Sequence, residues 1–281
     1  MSDQSNNCSS CGEMNEGSCS GEKCSPPPKL YPGGQSKISR VIAVMSGKGG
    51  VGKSSVTALM AVNLRRMGYQ VGILDADITG PSIPKMFGVK RVPANAQGLL
   101  QPAVSKGGIR IMSLNLLLER EDEPVIWRGP IIASAVKQFW TDVNWGELDY
   151  LLVDMPPGTG DVPLTVIQQI PVDGIVMVTS PQDLAVMVVK KAVRMAGIME
   201  ASLLGFVQNM AYITCPKCGE KFELFGKALQ KGDTLDGLPV LEVLPIDTEF
   251  TKLCDTGMVE EVKTNAFEDI PNLVKVKRQV S

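Results

Sequence analysis

One stretch limits what this chain can fold into: Gly47-Lys48-Gly49-Gly50-Val51-Gly52-Lys53-Ser54-Ser55, preceded by Ser46. Residues 47 to 54 fit the phosphate-binding P-loop pattern G-x-x-x-x-G-K-[ST]. The pattern needs a strand before it and a helix after it, and both are readable. Val41 to Met45 is a short apolar run suited to a buried parallel strand. From Ser54 to Met67, the residues Val56, Leu59, Met60, Asn63, Leu64 and Met67 fall near helical spacing. Glycines let the backbone wrap a phosphate, while N–H groups and the helix N-terminus supply positive partial charge. Lys53 is expected to reach the terminal phosphates of a nucleotide and Ser54 to hold Mg2+.

Composition narrows the partners. The 281 residues are enough for one large α/β domain with a tail, and 44% hydrophobic content allows a sizeable core. Lys plus Arg is 28 against 30 Asp plus Glu, a net charge of −2, which argues against a protein that coats nucleic acid. There is no apolar run of ~18 residues to span a membrane. The polar, cysteine-rich start lacks the apolar core of a signal peptide, so the expectation is a cytoplasmic protein with no nucleic-acid or membrane partner. Histidine is absent, which excludes a His general base, a His metal ligand and a Ser–His triad. The seven cysteines then matter more. Paired cysteines in a reducing compartment point to metal or redox chemistry, and thiolates suit an iron–sulfur cluster or zinc.

Two regions emerge. Residues 1 to 36 form a tail with Cys8, Cys11, Cys19 and Cys24 spaced C-x2-C-x7-C-x4-C, followed by Pro26-Pro27-Pro28 and Pro32-Gly33-Gly34. With few apolar residues, the tail is expected to stay disordered unless a metal orders it, and the Pro/Gly run reads as a linker. Residues 37 to 281 read as a doubly wound α/β domain with a mainly parallel sheet of the P-loop NTPase type. Strands are expected at 70–75, 109–114, 148–154, 174–179, 203–207 and 240–244. Helices are expected from Trp127-Arg128-Gly129-Pro130 to about Val143, at 183–196, from about Phe222, through Cys254 and from Ala266. Residues 88–108 fit no element well.

The strand ends carry the chemistry. Asp75-Ala76-Asp77 falls at a C-terminal strand end, where open α/β sheets bind ligands. An acid there can reach Mg2+ or orient a water, or simply cap a turn. Tyr150 to Val153 followed by Asp154 is the Walker B pattern, whose carboxylate holds Mg2+ through water. Cys215-Pro216-Lys217-Cys218 offers two thiolates, half of a tetrahedral site. A zinc ribbon needs a second pair. A two-fold dimer supplies four thiolates from one loop, which fits a bridging 4Fe-4S cluster. Cys254 lies with Phe250 and Leu253 in an amphipathic pattern and reads as a core thiol.

Lys48 adds specificity. The form K-G-G-x-G-K-[ST] resembles the deviant Walker A loop of the ATPases that include the nitrogenase iron protein and the Min and Par proteins. Alone, Lys48 would read as a solvated loop lysine. The resemblance implies that it crosses a dimer interface to the partner's nucleotide. It also implies that D-A-D-x-x-G-P-S is switch I, with Asp77 positioning water, and that the segment after Asp154 is switch II. Asn209, at the end of its strand, would read the adenine edge with its donor and acceptor, whereas by residue type alone it fits a turn.

Together K-G-G-V-G-K-S, L-D-A-D-x-x-G-P-S-x-P, W-R-G-P, D-x-P-P-G-T-G-D and the late C-P-x-C resemble the Mrp-type iron–sulfur cluster carrier ATPases, across about 37 to 281. The resemblance implies a homodimeric, Mg2+-dependent, slow ATPase. It would bind a 4Fe-4S cluster at Cys215 and Cys218 and pass it to apo-proteins. Relatives with a four-cysteine N-terminal site hold a second cluster there, with a long gap before a close pair. Here the close pair, Cys8 and Cys11, comes first. A Min/Par-like positioning ATPase would explain Lys48 and the switches but would leave the C-x-x-C to zinc or unused. A redox ATPase like the nitrogenase iron protein ranks lower, because its cluster cysteines lie apart in sequence.

Overall fold

The computed structural model describes residues 29–34, 36–77, 82–90, 100–116, 129–158, 163, 168–181, 196–197, 202–235 and 237–276. The long apolar runs become the buried central strands, and short strands flank them. They are β1 (Lys37–Ser46), β2 (Val71–Asp75), β3 (Ala103–Val104), β4 (Arg110–Ser113), β5 (Glu147–Asp154), β6 (Gly174–Thr179) and β7 (Leu203–Gln208), then β8 (Ile213–Thr214), β9 (Lys221–Phe222), β10 (Thr234–Leu235) and β11 (Leu238–Val243). Described helices are α1 (Lys53–Arg66), α2 (Ser82–Met86), α3 (Gly129–Thr141), α4 (Thr248–Asp255) and α5 (Ile270–Leu273).

One sheet has the order β10-β11-β7-β6-β1-β5-β2-β4-β3, and β8 and β9 make a separate pair. From β11 to β4 neighbours run parallel, while β10 and β3 are antiparallel at the two edges. Strands so covered carry no polar alternation, which is why the sequence shows continuous apolar runs. On one face Ile42, Val44, Ile73, Leu152 and Val176 pack against Val56, Met60 and Leu64 of α1. On the other, Val41, Ala43, Met45, Leu151 and Val153 meet Val136, Phe139 and Trp140 of α3. β1 lies between β5 and β6. The chain builds toward β2 and β4 on one side and β6, β7 and β11 on the other. A crevice therefore opens at the C-terminal end of β1, the switch point where open sheets bind ligands.

The described end of the tail is tied to the domain. Leu30 N–H donates to the Gln169 carbonyl at 2.9 Å, and Leu30 accepts Trp140 Nε1–H at 3.0 Å. Gly33 N–H donates to the Trp140 carbonyl at 3.0 Å. At the other end, Tyr150 Oη donates to the Val274 carbonyl at 2.8 Å.

Two expected helices are corrected. Phe222 stands in β9, paired with Ile213 across the cysteine loop, and residues 223–233 form no helix. Leu224 and Phe225 are exposed, so a helix there would have had no core to bury an apolar face against. Residues 266–269 form a turn, and only Ile270–Leu273 is helical. Phe267 is left-handed at φ 70°, and Pro271 has no N–H to give an earlier turn. The unassigned stretch 88–108 supplies β3 and the turn leading to β4. Among the described residues no helix is long and apolar enough to cross a membrane. Cys8, Cys11, Cys19, Cys24, Gly80, Pro81, Trp127, Arg128, Thr159, Gly160, Asp161 and most of the expected 183–196 helix lie outside the described residues.

Candidate functional site

The loop from Gly47 to Gly52 joins β1 to α1. Gly50 and Gly52 take left-handed φ values of 81° and 78°, which L side chains resist. Gly52 is doubly constrained, since a Cβ there would meet Asn209 Nδ2 at 2.2 Å. It is also the N-cap of α1, with no side-chain cap. The first-turn amides of the helix are thus left for an anion. Ser46 Oγ donates to the Lys48 carbonyl at 2.9 Å, and Lys48 itself is exposed on the loop. Gly49 to Ser55, with Asp77, Met86 and Pro157, border a cavity of about 260 Å3.

Behind the loop sits a buried charge cluster. Lys53 Nζ lies 2.8 Å from Asp154 Oδ1 and 3.4 Å from Asp77 Oδ2. Ser54 Oγ donates to Asp154 Oδ2 at 2.6 Å and Thr57 Oγ1 to Asp154 Oδ1 at 2.9 Å. β-register sets Asp75 opposite Asp154. Asp75 accepts Ser113 Oγ–H at 2.9 Å and the Asp77 amide at 3.1 Å. Burial, then the Asp154 charge, raises the Asp75 pKa well above the usual carboxylate range. For Lys53, burial works to lower the pKa, but Asp154, Asp77 and Asp75 together reverse it, and the ammonium titrates above the usual lysine value. Three carboxylates thus face one ammonium. Of these, Asp154 with the Ser54 hydroxyl offers two oxygen donors of the kind a hard divalent cation takes.

The segment after Asp154 lies along the loop. Met155 N–H donates to Val44 at 3.1 Å and Gly158 N–H to Ser46 at 3.0 Å. On the far side, Asn209 is buried, and its Nδ2 donates to the Val51 carbonyl at 2.9 Å. It borders a cavity of about 410 Å3 together with Ser55, Pro245, Asp247 and Phe250. Asp247 caps α4, accepting the Glu249 and Phe250 amides at 2.8 and 3.1 Å.

Cys215 and Cys218 occupy the turn between β8 and β9. Cys215 N–H donates to Glu220 at 2.8 Å and Gly219 N–H to the Cys215 carbonyl at 2.9 Å. This tight turn aims the Cys218 and Lys217 amides at the Cys215 sulfur, which lowers its pKa. A stabilised thiolate is the form that ligates metal. Cys218 is exposed, and so are Phe222, Leu224 and Phe225 beside it. Among the described residues no group of three or more His, Cys, Asp or Glu could hold a metal, so these two thiols stand as half a site. Cys254 is buried in α4, where burial, with Asp255 nearby, pushes its pKa to about 11.

Sequence reasoning missed Thr57 and Ser113. Thr57 was findable, since it stands one helical turn from Lys53 on the same face of α1. Ser113 joins Asp75 only through the β2–β4 register.

Residues 37–280 match the sequence family described as ParA: NUBPL iron-transfer P-loop NTPase. The chain belongs to that family. Curated relatives of this NTPase include the iron-sulfur cluster carrier protein of Clostridium perfringens, 45% identical over 263 residues that cover 90% of each chain. Another is the iron-sulfur cluster carrier protein of Methanocaldococcus jannaschii, 43% identical over 244 residues, covering 85% of this chain and 84% of the relative. Among solved structures, a nucleotide-binding protein from Archaeoglobus fulgidus in complex with ADP superposes with a TM-score of 0.70. It is 44% identical, and the match covers 82% of this chain and 91% of that one. The P-loop NTPase fold and the family resemblance read from the sequence both stand.

Proposed function

We propose that this NTPase is an ATP-dependent iron–sulfur cluster carrier. In this reading two copies hold one 4Fe-4S cluster between Cys215 and Cys218 of each and deliver it to apo iron–sulfur proteins. The observation that carries the proposal is the exposed two-thiol hairpin on the same chain as a complete phosphate-binding loop. The names borne by the relatives, iron-sulfur cluster carriers from a bacterium and an archaeon, support it. A reducing compartment such as the cytoplasm suits it, since thiolates stay available there.

The residues divide the work as follows. The amides of Gly47 to Gly52 and the α1 N-terminus cradle the phosphates. Lys53 leaves Asp154 and Asp77 for the terminal phosphates, so that Asp154 and Ser54 are free to hold Mg2+, directly or through water. Asp77 orients the attacking water. Lys48, exposed on the loop, reaches the nucleotide of the second copy. Asn209 meets the base in the cavity beside Ser55. Bound Mg2+ would neutralise phosphate charge, a role for which the surplus of buried carboxylates is suited. The four N-terminal cysteines, Cys8, Cys11, Cys19 and Cys24, would form a second metal site.

Anaerobic iron and sulfide analysis with mass determination tests this. A chain lacking residues 1–28, which keeps the Leu30 and Gly33 contacts, is expected to hold about four iron and four sulfide per dimer. Cys215→Ala with Cys218→Ala should lose both. Extra iron in the intact chain would belong to the tail. Zinc without sulfide in both forms would overturn the carrier reading and leave a positioning ATPase.

A further inference from the structure

The end of β7 is held from both sides. Asn209 Nδ2 donates to the P-loop carbonyl of Val51 at 2.9 Å. One residue earlier, Gln208 Oε1 accepts the Leu229 amide at 2.8 Å. Successive strand residues point to opposite faces. The nucleotide loop is thus gripped from one face, and the leg of chain returning from the cysteine hairpin from the other. The hairpin leaves β7 directly afterwards, through Met210, which is left-handed at φ 56°. A non-glycine residue is disfavoured there. Gln208 Nε2 is also buried without a partner, the one such side-chain atom among the described residues. A strained joint beside an unsatisfied buried donor is costly to hold in one arrangement.

We infer that Gln208 is a positioning residue that couples the nucleotide site to the cysteine hairpin. Filling the cavity beside Asn209 shifts the end of β7 about Met210. Gln208 passes that shift through Leu229 to Cys215 and Cys218. Coupling of this kind is reciprocal, so the state of the hairpin sets nucleotide affinity by the same factor. The inference rests on the nucleotide reading proposed above, but not on cluster binding.

The test uses the cluster-free full chain. Iodoacetamide labelling of Cys215 and Cys218 is followed by peptide mass spectrometry with and without ADP and Mg2+, and ADP binding is measured by calorimetry. ADP is expected to change the labelling rate by about fivefold or more, the low end of usual coupling factors. In Gln208→Leu the ratio should collapse toward one while ADP still binds. Gln208→Glu, whose carboxyl keeps an acceptor for the Leu229 amide, should restore it. A purely structural role would alter labelling equally with and without ADP and leave the ratio intact. ADP binding with a ratio of one in the unsubstituted chain, or a ratio that survives in Gln208→Leu, overturns the coupling alone. Absence of ADP binding overturns the nucleotide reading along with it.

Discussion

Lys53 neutralises only part of the charge it faces. Asp154 has two hydroxyl donors besides Lys53, from Ser54 and Thr57, whereas Asp75 has Ser113 and one amide. Lys53→Ala should therefore abolish nucleotide binding and, in metal-free buffer, cost about 3 kcal/mol by stranding a buried charge. Urea unfolding and ADP titration check both. Asp75 gives a pH test. Its folded pKa lies above its unfolded value, because burial and then Asp154 disfavour the anion. Its contribution to stability is fully present below the ordinary carboxylate range and is lost as pH rises through the folded value. Asp75→Asn should therefore gain stability over the unsubstituted chain as pH climbs from about 4 toward neutrality. Thermal melts across that range that run parallel would contradict it. Lys53, raised by its carboxylates, keeps its contribution through neutrality and loses it only above the usual lysine range. The residues visible in the sequence were those whose spacing is itself the chemistry: Gly47 to Ser55, Asp154, and Cys215 with Cys218. Ser113 and Gln208 stayed hidden because each acts through strand register or a return loop, and no spacing along the chain encodes those.

Elements were legible where burial alone decides them. β6 and the C-terminal halves of β1 and β5 are apolar runs because both sheet faces are covered there, and length then separates them from helices. The helix expected from about Phe222 does not form, because Phe222, Leu224 and Phe225 stand on an arm with no core beneath them. At α4 the cap and the cavity wall are one residue. Asp247→Ala should cost about 1 kcal/mol through the lost cap. By loosening the turn after Pro245 it should also weaken nucleotide binding, so denaturation and ADP titration should move together. Loss of stability with unchanged ADP affinity would detach the cap from the cavity.

For the whole molecule, the exposed apolar side chains of the hairpin carry a prediction of association. Phe222, Leu224 and Phe225 are 47%, 56% and 41% exposed beside Cys218. Phe222→Ser with Leu224→Ser should leave folding nearly unchanged, within about 0.5 kcal/mol per exposed site. Sedimentation of the iron-loaded chain should shift toward monomer, and an unaltered dimer would place the interface elsewhere. The two kinds of thiol in the described fold also differ in fate. Cys254 is sealed in α4, with its proton held up to about 11. The Cys215 thiol, its pKa lowered by the Cys218 and Lys217 amides, shares its turn with the exposed Cys218. Oxidants attack exposed thiolates first. In the carrier reading proposed above, the exposure that would let the hairpin hand over its cargo also leaves the empty thiols open to oxidation.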